Sequence, residues 1–312
     1  MQRAVAVSLP RVALRPVLVR RFVMLVALAA LGAANLLGLA RLAAEVGAVG
    51  VPRAVDQVGF DWVTFSEAGS LATIGANPYV ASEFRWSPAA AWLLYWITLV
   101  PWPVWQLAHV AAALVMPSWR LRALTLLAYP FWYDVMVGNV MVFVALLAVW
   151  TCRGSRWATA GFLVIAVLAP RPLMIPIVAW VLWRQPEWRL PAGLMAAGAL
   201  VGSLLVGHVG AWIVRLAESR SQLEEVVNLA PSVALGAAWI PIGIALAAML
   251  VWRRRAGWAA VVIQPYLIPN YLLMLAVEAD QGSGDASSTT MNPSSSRATQ
   301  NRSAISGRCT PA

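Results

Sequence analysis

Apolar segments separated by arginine clusters make up most of this chain. Of the 312 residues, 61% are hydrophobic and 12% are charged, about half the charged share of a soluble protein. Such a sequence cannot cover a globule with polar surface, so lipid must be much of its solvent. We therefore expect an all-α polytopic membrane protein. Its predicted apolar segments are 22–44, 88–100, 104–116, 121–131, 140–151, 157–168, 173–183, 190–206, 232–252 and 258–277.

The basic residues indicate topology rather than a nucleic-acid partner. The formal net charge is +10, yet all 23 basic residues are arginine, and they cluster at the edges of apolar segments. Arg20–Arg21 and Arg253–Arg255 are two such clusters. Basic residues beside helix ends remain on the cytoplasmic side of a membrane. Residues 1–21 are therefore predicted to form a basic cytoplasmic N-terminus, and we expect no nucleic-acid partner.

Two polar loops and a polar tail interrupt the apolar sequence. We predict a transmembrane domain at 22–278, with an outer loop at 45–87 and a second outer loop at about 207–231. Residues 279–312 are rich in Ser, Thr, Gly and Asn and show no apolar period. This composition predicts a disordered tail.

Segment boundaries in the first half leave one topological choice open. Two apolar segments, hinged at Pro101-Trp-Pro103, separate the outer loop from Arg120 and Arg122. If both segments crossed the membrane, these arginines would lie outside, against the usual preference. Either one segment is re-entrant or Arg120 and Arg122 face outward.

The first outer loop concentrates acidic side chains. Its part from 56 to 83 contains Asp56, Asp61, Glu67 and Glu83, four of the thirteen acids in the chain. Asp61 lies between Phe60 and Trp62, and apolar neighbours make a carboxylate a stronger base. Asp61 is thus a candidate general base that accepts a proton from a hydroxyl. The alternative is a solvated loop acid or a helix N-cap.

Spacing within the same loop predicts a short helix. Val58, Trp62 and Phe65 recur at helical intervals, while Asp61 and Glu67 fall on other faces. An amphipathic helix of this kind is expected to lie in the membrane interface.

The remaining polar residues carry weaker signals. His109 and His208 are far apart in apolar sequence, so each is predicted to be a packing residue, and no metal site is expected. Asp134 is a second acid candidate, for which a helix-end cap is the favoured role. The two cysteines, Cys152 and Cys309, do not form a disulfide framework.

Several motifs, in order along the chain, resemble one family of bacterial membrane enzymes. They are Asp61-Trp-Val-Thr-Phe65, Ala68-Gly69, Gly75-Ala-Asn-Pro-Tyr79, Phe84-Arg-Trp-Ser-Pro88, Gly138-Asn139, Ala160-Gly161, Pro170-Arg-Pro172 and Gln264-Pro-Tyr-Leu-Ile-Pro-Asn-Tyr271. Together they resemble the polyprenol-phosphate-mannose-dependent mannosyltransferases of the GT-C class, glycosyltransferase family 87. The first-loop motif is the most specific part.

The resemblance implies a GT-C-like helical bundle in the bacterial inner membrane. It also implies transfer of a sugar, with mannose expected, from a polyprenyl-phosphate donor to a lipid or glycan acceptor on the outer face, without a cofactor. Asp61 would be the catalytic base. The implied substrate-binding residues are Tyr79, Arg85, Asn139, Arg171, Tyr266 and Asn270. Arginine binds phosphate well, although topological anchoring of the arginines and helix capping by the asparagines remain alternatives.

The chain departs from the family pattern in three ways. The family's Gln is replaced at Gly138-Asn139, its Lys is Arg171, and apolar segments end near Val277, where relatives have further helices. We therefore expect a C-terminally shortened member. Two other functions stay open: a multi-pass lipid or polysaccharide transporter or flippase, and an inactive shortened paralogue.

Overall fold

The computed structural model describes four stretches of the chain, all of them helical in their regular elements. They are residues 16–48, 58–81, 84–218 and 229–280. Two compact units divide the protein at Val55. The first contains the long helix α1 (Pro16–Ala48), and the second contains every other described helix. The all-α prediction is confirmed for this part of the chain.

Short α-helices build the second unit. In chain order they are α2 (Phe60–Thr73), α3 (Pro88–Thr98), α4 (Trp102–Leu114), α5 (Trp119–Leu127), α6 (Tyr129–Val137), α7 (Met141–Cys152), α8 (Arg156–Leu168), α9 (Ile175–Arg184), α10 (Arg189–Val206), α11 (Val209–Glu218), α12 (Ser232–Leu235), α13 (Trp239–Trp252) and α14 (Ala256–Val262). Single 3₁₀ turns at Pro78–Val80, Pro172–Met174 and Pro186–Trp188 each begin with proline, whose fixed φ suits the first helical position.

Within the described stretches, three helical segments are long and apolar enough to cross a membrane. They are Val23–Ala40 within α1, Pro186–Val206 and Ser232–Trp252, and their windows are 0%, 6% and 17% buried. Their apolar side chains therefore face outward, as in a membrane protein. The other apolar helices, such as α7 and α8, are shorter than a straight span requires.

Helices α3 and α4 form a fourth candidate span with a sharp bend. Their axes meet at 102°, and only the two helices together are long and apolar enough to cross a membrane. Pro101 is the N-cap of α4, and Pro103 lies in its first turn. The bend confirms the predicted hinge at Pro101-Trp-Pro103. Proline has no backbone N–H, so a helix cannot continue through these residues with its normal hydrogen bonds. The bend is compatible with one broken span, which would place Arg120 and Arg122 on the face opposite the first polar loop, and with the re-entrant segment that the sequence left open.

Proline also divides two segments that the apolar pattern predicts to be continuous. The predicted segment 121–131 contains the boundary between α5 and α6, where Ala128 adopts extended backbone and Pro130, in the first turn of α6, has no backbone N–H to continue α5. The predicted segment 258–277 holds the end of α14 and a separate 3₁₀ helix, Pro269–Leu275. The prediction of two continuous segments was therefore wrong.

The core of the second unit forms around α7. This helix buries residues along most of its length and packs on α4, α8 and the 3₁₀ helix Pro269–Leu275. The predicted short helix of the first loop is present as α2, which packs along α3. A Cβ on Gly69 would lie 2.7 Å from the backbone nitrogen of Tyr95, so only glycine permits this approach.

Glu278 and Asp280 form hydrogen bonds between the end of the described chain and the rest of the fold. Glu278 Oε1 accepts from the backbone N–H of Gly257 at 2.9 Å and so satisfies the N-terminus of α14 from outside that helix. Asp280 accepts two hydrogen bonds of 2.7 Å from the Arg153 guanidinium at the end of α7. The predicted tail beyond Asp280 and most of the predicted N-terminal segment 1–21 lie outside the described residues.

Candidate functional site

Helix α2 presents Asp61 near its N-terminus. Gly59 is the N-cap with a left-handed φ of 73°, and its N–H donates to the Met136 carbonyl at 2.7 Å. Asp61 lies in the first turn, where the helix dipole favours a negative charge. Its side chain is partly exposed. Asp61 is therefore neither enclosed by protein nor fully exposed.

Asn139 contacts Asp61 directly. Its Nδ2 donates to Asp61 Oδ2 at 2.6 Å, and the asparagine is 2% exposed. It stands in the turn after α6, whose backbone N–H groups at Gly138 and Asn139 both donate to the Asp134 carbonyl. Such a C-terminal cap fixes the direction of the turn. The buried amide is thus aimed at the carboxylate by backbone geometry.

Gly138 is required at this turn for two separate reasons. Its φ is +74°, which favours glycine, and a Cβ would lie 2.6 Å from the Trp102 ring and 2.8 Å from Trp62 Cβ. The Gly138 carbonyl also accepts from Trp105 Nε1 at 3.1 Å. The turn that carries Asn139 is consequently enclosed by aromatic side chains.

His109 lies behind this turn and is fully buried. Its Nε2 is 2.6 Å from the Asn139 carbonyl oxygen, and its Nδ1 is 2.8 Å from the Trp105 carbonyl oxygen. The Asp134 carboxylate approaches the same Nε2 at 3.8 Å. The imidazole thus joins α4 to the turn that contacts Asp61.

Asp134 is the second acid of the cluster and has no exposed surface. Its Oδ2 accepts from the Val142 N–H at 2.8 Å, and its Oδ1 accepts from Asn270 Nδ2 at 3.0 Å. Burial raises the pKa of this carboxyl, whereas His109 and the two hydrogen bonds oppose the rise. Asp134 connects α6, α7 and the 3₁₀ helix Pro269–Leu275.

Arg171 approaches the same 3₁₀ helix from the other side. Its Nη1 donates to the Tyr271 hydroxyl, and its guanidinium carbon lies 5.5 Å from the Tyr271 ring and 5.9 Å from the Trp86 ring. These are cation–π distances. Among the described residues, no carboxylate lies within 4.0 Å of Arg171, which is partly exposed.

Two routes of contact connect Arg171 to α2. The first route begins at Tyr271, which contacts Arg171 and is next in sequence to Asn270, the residue that donates to Asp134. The Asp134 carbonyl then accepts from the Asn139 N–H, and the Asn139 amide donates to Asp61 on α2. Through the first-loop motif, the Trp86 ring packs 5.0 Å from the Phe65 ring, one helical turn after Asp61. Asp61 and Arg171 are therefore linked through intervening side chains, and we call this linked set the Asp61–Arg171 cluster.

Three buried polar atoms around this cluster lack a hydrogen-bond partner within the described part of the chain. They are Trp62 Nε1, Trp86 Nε1 and Asn270 Oδ1. An unsatisfied buried donor or acceptor costs about 1–3 kcal/mol. All three atoms are enclosed by protein, so each is an energetic cost to the fold.

The other predicted site residues have local structural contacts. Tyr79 is buried, its hydroxyl donates to the Trp86 carbonyl at 2.8 Å, and burial raises its pKa. Arg85 is half-buried, and its backbone oxygen accepts from Trp212 Nε1 at 3.1 Å. Tyr266 is half-buried in the connection after α14. Tyr79 thus shapes the Trp86 backbone.

Sequence reasoning missed His109 and Asp134 as members of the cluster. It treated the first as a packing residue and the second as a helix cap. A signal was present, because an ionisable residue in a strongly apolar sequence requires a buried partner. Within the described residues, no group of three or more His, Cys, Asp or Glu side chains could hold a metal ion.

Comparison of the chain with family models, with curated proteins and with solved structures gives no match. The likeness to the GT-C mannosyltransferases therefore rests on the sequence motifs alone. A functional proposal for the chain therefore has to be argued from the geometry of the Asp61–Arg171 cluster.

Proposed function

We propose that the chain is a membrane glycosyltransferase that moves a sugar from a polyprenyl-phosphate donor to a hydroxyl of a lipid or glycan acceptor. Mannose is the expected sugar, and the outer face of a bacterial inner membrane is the expected location. One observation carries the proposal. Asp61 and Arg171 are both partly exposed, and Arg171, which has no carboxylate within 4.0 Å among the described residues, contacts α2 through the Trp86 and Phe65 rings.

Asp61 is the general base in this proposal. It takes the proton of the acceptor hydroxyl while the acceptor oxygen bonds to the anomeric carbon. The bond from that carbon to the phosphate oxygen breaks, and the lipid phosphate leaves with the electron pair. This single displacement inverts the anomeric centre. The hydrogen bond from Asn139 holds the carboxylate in one orientation.

Arg171 binds the phosphate of the donor. A guanidinium can donate two parallel hydrogen bonds to phosphate oxygens. Stacking on Trp86 and Tyr271 fixes its plane, so less rotamer freedom is lost when phosphate binds. The positive charge also stabilises the leaving lipid phosphate.

An apolar groove beside this arginine fits the isoprenoid chain. The groove has a volume of about 320 Å³ and lies between α3, α8 and α10. Leu168 lines it, and the Leu168 carbonyl accepts from the Ser87 N–H at 3.0 Å. Leu168 precedes Arg171 by three residues and Ser87 follows Trp86, so the lining of the groove and the proposed phosphate site are close along the chain. A chain in the groove would place its phosphate at Arg171.

A lipid transporter could use the same groove and the same cation. It would carry the polyprenyl phosphate across the membrane without breaking a covalent bond, and it would need no general base. An inactive paralogue would need neither group. The role of Asp61 therefore separates the three functions.

The test is sugar transfer by the purified protein, using labelled polyprenyl-phosphate mannose and a set of lipid and glycan acceptors. We expect Asp61→Asn to lower the turnover number by about 10²–10⁴-fold, the range for loss of a general base. Glu67→Gln is the matched control, because Glu67 is an exposed acid on the same helix. Both variants should melt like the wild type.

Undiminished transfer by Asp61→Asn would refute the assignment of the base. If labelled lipid crosses liposome membranes and neither the wild type nor Asp61→Asn forms a transfer product, the transporter is favoured instead.

A further inference from the structure

The hydrogen-bonding side chains of α11 (Val209–Glu218) face the protein rather than the surroundings. Trp212 Nε1 donates to the Arg85 carbonyl at 3.1 Å, and Arg215 Nη2 donates to the Tyr79 carbonyl at 3.0 Å. Residues three apart lie on one stripe of a helix. One stripe of α11 therefore binds backbone carbonyl groups of the first-loop segment 75–85.

The opposite face of α11 is apolar and exposed. Ile213, Val214 and Leu216 are exposed at 60%, 57% and 41% of their surfaces, and Gly210 and Ala217 are exposed as well. At 3.6 residues per turn these five positions lie within an arc of about 160°, and this arc contains no charged residue. A helix on a water-soluble protein shows the reverse arrangement, with its apolar face inward.

The turn before α11 keeps the helix close to the end of a candidate membrane span. The span Pro186–Val206 ends three residues before Val209, and Gly207 leaves the helix with a left-handed φ of 86°. The His208 Nε2 then lies 3.2 Å from the Gly75 carbonyl oxygen. Three residues reach at most about 11 Å, and the headgroup layer on each side of a bilayer is about 5–8 Å thick. When the span crosses the bilayer, α11 therefore begins at the level of the headgroups.

The exposed apolar surface of this span leads to α11. Leu200, Val201, Leu204 and Leu205, in the last two turns of α10, each expose more than half of their surface. Such side chains on a membrane span face lipid acyl chains. The apolar face of α11 is the next exposed apolar surface along the chain, so lipid is the partner that continuity with α10 favours.

We propose that α11 is an interfacial helix, which lays its apolar face on the acyl chains of the adjoining leaflet while its polar face binds the segment 75–85. Its ten residues give a length of about 15 Å, too short to cross a membrane but suited to lying in its surface. The ion pair between Arg215 and Glu218, with an N–O distance of 3.1 Å, lies outside the apolar arc and so away from the acyl chains. The proposal does not depend on sugar transfer.

Nitroxide labels can measure what covers the apolar face. The full-length protein with Cys152→Ala and Cys309→Ser receives a single cysteine by Gly210→Cys, Ile213→Cys or Ala217→Cys, and the labelled variants are placed in phosphatidylcholine vesicles. Collisions with oxygen, which concentrates in lipid, are compared with collisions with a water-soluble nickel chelate. The first and last labels lie about 10 Å apart along the helix axis, so together they report its tilt.

Two positions on α10 provide the references. Leu200→Cys is the lipid reference, and Glu187→Cys, at the start of the span, is the water reference because Glu187 is an exposed acid. We expect all three labels on α11 to give an oxygen-to-nickel ratio severalfold above that at 187 and below that at 200. The ratios at 210 and 217 should be nearly equal, because the helix lies flat.

Three results would overturn the proposal. A ratio like that at 187 would place the face in water, and a steady fall from 210 to 217 would describe a helix that leaves the membrane. Few collisions with either reagent would show that protein covers the face, either a second copy of the chain or another segment.

The wild-type protein offers a measurement without any substitution. An apolar diazirine that partitions into the same vesicles should, on illumination, label α11 as well as α10. This result is expected even if the cysteine variants fail to fold. Label on α10 with none on α11 would overturn the proposal.

Discussion

Asn139 Nδ2 lies 2.6 Å from Asp61 Oδ2, although 78 residues separate the two in sequence. The contact joins the first turn of α2 to the turn between α6 and α7. Asn139 is buried, whereas Asp61 is partly exposed. A rigid interior group therefore sets the orientation of a carboxylate that a substrate can reach, as preorganised catalysis requires.

Replacing Asn139 by alanine should separate orientation from folding. Asn139→Ala removes the amide donor, so we expect transfer to fall about tenfold to a hundredfold through misplacement of Asp61. The matched control is Asn77→Ala, because the Asn77 side chain accepts from the Tyr79 N–H at 3.0 Å and caps a single turn. That variant should lose about 1 kcal/mol of stability and keep its turnover number. Equal turnover in the two variants would contradict the positioning of Asp61 by Asn139.

Gly138→Ala should destabilise the protein more than the same change at another left-handed glycine. Both Gly138 and Gly154 have positive φ, but a Cβ on Gly154 would meet nothing within 4 Å, whereas one on Gly138 would overlap Trp102 and Trp62. Gly154→Ala should cost about 1–2 kcal/mol from backbone strain alone. Gly138→Ala should cost about 1–3 kcal/mol more from overpacking. Thermal unfolding of both variants in one detergent measures the difference, and equal losses would show that the aromatic enclosure is loose.

The guanidinium of Arg171 should be needed for its shape as well as its charge. We expect Arg171→Gln to raise KM for the polyprenyl-phosphate donor, and Arg171→Lys to restore only part of the affinity, because lysine lacks the planar donor pair. Arg120→Gln is the control, since Arg120 also stacks on a tryptophan, Trp119, but is exposed elsewhere in the fold. Full recovery by lysine would show that charge alone suffices.

Filling the apolar groove should distinguish long donors from short ones. Gly198 lines the groove, and a Cβ added there would meet nothing within 4 Å, so the branch point of Gly198→Leu is accommodated and its remaining carbons can occupy groove volume. Loss of two buried methylenes at about 0.8 kcal/mol each raises KM about tenfold for a long isoprenoid. A donor with a very short chain should bind the variant normally.

Gly193→Leu is the matched control for this experiment. Gly193 lies on the same helix and also has nothing within 4 Å, but it is not among the groove residues. Kinetics with a long and a short donor for both variants completes the comparison. An unchanged KM for the long donor in Gly198→Leu would place the isoprenoid elsewhere.

Local sequence signals predicted much of the fold. Hydrophobic composition and spacing indicated an all-α protein, the helix α2 and the bend at Pro101, because each of these depends on neighbouring residues. The divisions at Pro130 and between Val262 and Pro269 were missed, since apolar composition was given more weight than proline. Helix breaks of this kind are settled by backbone hydrogen bonding, which composition does not report.

The contacts of the site were less predictable. The motifs identified Asp61, Asn139, Arg171 and Asn270, but the bonds that join the cluster span 30 residues from His109 to Asn139 and 136 from Asp134 to Asn270. Spacing within one helix carries no information about such pairs. The partners of a buried ionisable residue become known only when the packing of several elements is known.

Two truncations should locate the end of the folded domain. A chain ending at Asp280 keeps Glu278 and Asp280 and their hydrogen bonds to the fold. We therefore expect removal of Gln281–Ala312 to leave thermal stability nearly unchanged. A chain ending at Val277 loses the Glu278 acceptor for the Gly257 N–H and the paired hydrogen bonds from Arg153 to Asp280. The buried α14 amide left without an acceptor costs about 1–3 kcal/mol by itself. The measurement is the melting temperature of both truncated proteins in detergent, and a large loss in the longer one would show that residues after Asp280 stabilise the fold.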